Sequence, residues 1–141
     1  MKALAQRRAR ITRVREVQLL HAVGEAAAAE GKVNQLEGNA AKLAAMRMSL
    51  SLAAGITTGA GIGNAGEMGL RLDNVRHGLT DAIGAARAIA TARANDRRDA
   101  DIRRESAERL ETRAVAELQQ MIEERMMANI RHRPRKEAPD A

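Results

Sequence analysis

Apolar residues recur at alternating spacings of three and four through the first part of the chain: Leu19, Ala22, Ala26, Ala29, Val33, Leu36, Ala40 and Leu43, then Arg47 as an interruption, then Leu50. Such a period, held over several heptads, is the seam of a helix that packs along another helix. Upstream, Ile11, Val14 and Val17 fall outside this register, which predicts a stutter near residues 14–19. The first helix is therefore predicted over residues 3–53, about 75 Å at the usual rise per residue. Residues 55–66 (GITTGAGIGNAG) hold five of the eleven glycines and interrupt the pattern, with Thr57 or Thr58 as candidate N-cap. The seam resumes at Met68, Leu72, Val75, Leu79, Ala82, Ala86 and Ile89. It thins through the charged stretch 93–113, where Arg93, Asp96 and Arg103 take seam positions, and recovers at Ala107, Leu110, Ala114, Leu118 and Met121. A second helix is predicted over residues 67–131, followed by a disordered tail, 132–141, that carries Pro134 and Pro139.

One break between two long amphipathic segments predicts an all-α fold. It is a long antiparallel two-helix coiled-coil hairpin, a single domain over residues 1–131 with a glycine-rich tip at 55–66, a C-terminal helical overhang and the disordered tail. A bend centred at residue 56 sets residue i against residue 112 − i, bringing Leu50 to Ile62, Val33 to Leu79, Ala29 to Ile83 and Ile11 to Ile102. The same arithmetic leaves residues after about 112 without a partner in the chain. Yet Val115, Leu118, Met121, Ile122, Met126, Met127 and Ile130 make that overhang apolar, so it calls for another protein or a second copy. Gly24, Gly31 and Gly38 recur at one-heptad intervals opposite the seam. They are either a groove for another helix or glycines tolerated on a solvent face at about 1 kcal/mol each against alanine.

Composition narrows the function classes. The chain has no Phe, Trp, Tyr or Cys and 30 alanines. Disulfides, zinc-thiolate sites and base-stacking surfaces are thereby excluded. The net charge of +6 comes from 24 basic and 18 acidic residues. Residues 1–15 alone carry +6 with no acid, and residues 125–136 add Arg125, Arg131, Arg133, Arg135 and Lys136 with no acid. A hairpin gathers both runs at one end and makes that end a place for an anionic partner.

Candidate chemistry is sparse. Gly61, Gly63 and Gly66 spell G-x-G-x-x-G with Asp81 downstream, but no strand precedes them and no second β-unit follows, so they lack the crevice a dinucleotide needs. His21, His77 and His132 share no metal-ligand spacing, and Ser49, Ser51 and Ser106 lack a G-x-S-x-G setting. Carboxylates alternate with arginines along helical faces. The expectation is a protein without catalytic residues, cofactor, metal or small-molecule substrate. Residues 48–66 carry no charge over 19 positions, but their glycines, serines, threonines and asparagine are too polar to span a bilayer. The basic start has no apolar run of signal-peptide length.

A basic opening (RRARITRVREVQ), a long helix, a small-residue break, a longer return helix and a basic end (EERMMANIRHR) together resemble the FliJ family of flagellar type III export proteins and their injectisome counterparts. The resemblance implies a cytoplasmic coiled-coil stalk, peripheral at the inner membrane only through its partners. Those partners are the ring of the export ATPase, the cytoplasmic part of the export gate and substrate chaperones. On this reading Arg7, Arg8, Arg10 and Arg13, with Leu118, Met121, Met126, Met127 and Ile130, contact the partner. Two other readings stand beside it. One is a homo-oligomeric coiled-coil scaffold or adaptor, a homodimer in the simplest case, whose C-terminal stripe pairs with itself. The other is a nucleic-acid-associated coiled coil using its basic end, which would bind without sequence preference and with steep salt dependence.

Overall fold

The computed structural model describes residues 1–53 and 59–131. They form two α-helices, α1 (Lys2–Ala53) and α2 (Gly59–Arg131), which pack against each other, and no strand occurs among the described residues. The predicted disordered tail, 132–141, lies outside the described residues, as do Thr57 and Thr58. The glycine-rich tip is shorter than composition predicts. Residues 59–66 are the first two turns of α2, and none of the described glycines has positive φ. Glycine costs a helix about 1 kcal/mol but does not forbid it. A run that also holds Ala60, Ile62 and Ala65 continues as helix.

The chain divides into two compact units, Leu20–Arg98 and the pair of segments Met1–Leu19 with Asp99 onward. In the Leu20–Arg98 unit, α1 turns Ala22, Ala26, Ala29, Val33, Leu36, Ala40, Leu43, Arg47 and Leu50 inward, all buried or half-buried, as the spacing predicts. The α2 seam is rotated from expectation. Leu72, Leu79 and Ala86 face inward, but their partners are Gly69, Ile83 and Ala90, while Met68, Val75 and Ile89 are each 56% exposed. Two heptad registers share Leu72, Leu79 and Ala86 and differ in whether the next seam residue comes three or four positions later. At two of the three places the inward residue is the smaller one, Gly69 rather than Met68 and Ala90 rather than Ile89, which suits close approach of the two helices.

Three ion pairs cross between the helices in this unit: Arg47 with Asp73 at 3.3 Å, Arg87 with Glu37, and Arg93 with Glu25 at 3.1 Å. A bend at residue 56 would have set Glu25 near residue 87, Glu37 near 75 and Arg47 near 65. The observed partners lie six to twelve residues further along α2.

In the unit formed by Met1–Leu19 and the chain from Asp99, α1 keeps the same heptad without a stutter. Ala5, Arg8, Thr12, Arg15 and Leu19 face α2, so arginine and threonine occupy seam positions. Thr12 is 6% exposed, and its hydroxyl donates to the Arg8 carbonyl at 3.1 Å. Ile11, Val14 and Val17 are left exposed. A stutter would have turned them inward only by unwinding the helix locally. Opposite them, Ala107 and Ala114 are buried and Arg104, Glu111, Leu118 and Met121 half-buried, whereas Arg103 and Leu110 are exposed. The buried apolar residues of the whole described chain are five alanines, and no side chain is wholly enclosed.

Candidate functional site

All nine residues singled out in the sequence belong to the Met1–Leu19 and Asp99-onward unit. They do not form one patch. Arg8 is half-buried against α2 and, with Ile11 and Arg15, lines a shallow recess of about 310 Å³ whose other wall is Arg103, Ser106, Ala107 and Leu110. Arg7, Arg10 and Arg13 are exposed. Spaced three apart, they follow one another along the face of α1 away from α2. None of the four arginines forms an ion pair among the described residues. Arg15 donates instead to Gln18 Oε1 at 2.9 Å. Cations in the first turns of a helix also oppose its macrodipole, so this cluster is stabilised by neither local source.

Asp101 and Glu108 of α2 are engaged within their own helix. Arg104 donates to Asp101 Oδ1 at 3.2 and 3.3 Å and to Glu108 Oε1 at 2.7 Å. The hydrogen bonds from Asp101, and then the charge of Glu108, hold the Arg104 guanidinium still further above its ordinary pKa.

Leu118 and Met121 are half-buried, and every described side chain from Ile122 to Ile130 is exposed. Met126, Met127 and Ile130 reach 61%, 57% and 67%. This end of α2 therefore exposes apolar side chains among the described residues, but their stripe differs from the one expected. Met126 and Met127 are consecutive and point about 100° apart. The residues that do align are Val115, Leu118, Ile122, Met126 and Ile130, at spacings of three and then four. Steps of four drift about 40° each around a helix, and exposure rises from the half-buried Leu118 through Ile122 and Met126 to Ile130. Ile122 and Val115 are functional candidates that a residue list built on methionines omits; the 3-4-4-4 spacing was the signal for them.

The chain matches no protein-family model, no curated protein and no solved structure.

Proposed function

We propose that this chain is a non-catalytic docking protein, an antiparallel two-helix coiled-coil hairpin whose helical overhang binds another protein. The observation that carries the reading is the uncovered stripe Leu118, Ile122, Met126 and Ile130 on α2. Support for the antiparallel arrangement comes from the cross-helix ion pairs. As the α1 partner advances from Glu25 to Glu37 to Arg47, the α2 partner recedes from Arg93 to Arg87 to Asp73. Burying the exposed part of each of the four side chains contributes on the order of 1 kcal/mol. A ridge built from steps of four packs into another helix at a crossing angle near −50° rather than the shallow angle of a continuing coiled coil. The partner is thus expected to lay a helix across the overhang.

The resemblance to type III export stalks supplies the candidate partner. On that reading the chain is a cytoplasmic component of a flagellar or related export apparatus that binds the export ATPase ring and couples it to the gate and to substrate chaperones. The test is co-purification of the full chain with that ATPase. Replacing Leu118, Ile122, Met126 and Ile130 by Asp should abolish it while leaving far-ultraviolet circular dichroism unchanged. Undiminished binding sinks the docking role of the stripe. Self-association through the same stripe is the competing reading, and sedimentation at two concentrations separates a dimer from a monomer that awaits its partner.

A further inference from the structure

We propose that the outward face of the first four turns of α1 binds the surface of an anionic lipid bilayer directly. Three observations converge on that face. It holds Arg7, Arg10 and Arg13, flanked by Lys2, and residues 1–15 contain no acid. Those arginines have no ion-pair partner among the described residues. On the same face Val14, 55% exposed, follows Arg13, and Val17, 65% exposed, follows one turn on, past Glu16.

The combination decides between polyanions. A nucleic-acid backbone would be met by the arginines alone, and branched aliphatic side chains set among them would be left facing phosphates and water. A bilayer interface takes both kinds of group. Aliphatic side chains enter the headgroup and acyl boundary while arginine stems lie along it and their guanidinium ends stay among the phosphates. The face lies opposite Ala5 and Thr12, which are buried toward α2, so α1 can lie on a surface without losing its seam. Among the described residues no helix is long and apolar enough to cross a membrane. Contact of this kind stays at the surface, and it adds a direct route to the partner-mediated one that the family resemblance implies.

The experiment is flotation of the full chain with vesicles of phosphatidylglycerol and phosphatidylcholine, with pure phosphatidylcholine vesicles and an unrelated DNA duplex as parallel arms. The wild type should float with anionic vesicles at low salt and not with neutral ones. Arg7→Gln, Arg10→Gln and Arg13→Gln together should lower partitioning on the order of 100-fold. Val14→Gln with Val17→Gln, which leaves every charge in place, should weaken it several-fold and leave any DNA binding unchanged. Three results overturn the proposal: no flotation of the wild type, flotation that survives the arginine replacements, or loss confined to charge with the valine variant binding as before. DNA binding without vesicle binding reassigns the face to nucleic acid. The inference does not rest on the docking role of the overhang. The four-Asp overhang variant should float like the wild type even where it no longer holds a protein partner.

Discussion

Replacing Gly24, Gly31 and Gly38 together by alanine should stabilise the Leu20–Arg98 unit. All three lie inside α1, are exposed and have no positive φ, and a Cβ built on each meets nothing within 4 Å. The substitution therefore changes only the conformational freedom of the unfolded chain and the solvation of helical backbone, about 0.8–1 kcal/mol per site. The sites are about 10 Å apart along the helix, far enough for their effects to add. The sum is about 2.5–3 kcal/mol, which for a unit of this size raises Tm by at least about 10 °C. Gly69→Ala is the internal control. Its Cβ would lie 2.6 Å from Arg47 Nη1 and 2.9 Å from Cζ, so the guanidinium must move and its 3.3 Å contact with Asp73 is lost. The helix gain is offset by a half-exposed ion pair worth at most about 1 kcal/mol, and the net change should lie near zero. Thermal melts at 222 nm read both variants. A triple variant with unchanged or lower Tm refutes the solvent-face reading and means that another helix uses the absence of side chains there, which sedimentation would then reveal as lost association.

Two further outcomes test the seam. Ile83→Ala should cost about 1–3 kcal/mol in urea unfolding, and Ile89→Ala about 1 or less, because Ile83 is half-buried and Ile89 is 56% exposed at the recess it lines with Ala29 and Leu36; the reverse order would restore the register read from spacing. Thr12→Val should raise stability by about 0.5–1 kcal/mol, since the hydroxyl is buried and among the described residues bonds only to the carbonyl one turn back; a loss of stability would mean that this hydroxyl has a further partner.

The sequence by itself determined that there are two helices and which segments of the chain are basic. These follow from local chemistry: helix-forming Ala, Leu, Arg and Glu throughout, no described residue that breaks α1, and charge that can be summed along the chain. It also marked most of the α1 seam, because from Leu19 to Leu50 the larger apolar residues and alanines fall on one heptad register. Tertiary structure decided what depends on a facing surface. In α2, Met68 and Ile89 offer more apolar area than Gly69 and Ala90, so a count of hydrophobic residues selects the outward positions there. Close approach of the helices favours glycine and alanine at those two positions instead. At the start of α1, apolar spacing predicts a stutter that would bury Ile11, Val14 and Val17, but an unbroken heptad keeps the two helices in one register and buries Thr12 in their place. For the same reason the arginines and the overhang stripe were legible as residues but not as a site. Which of them share a face depends on how each helix is rotated about its own axis, and packing against a neighbour sets that rotation.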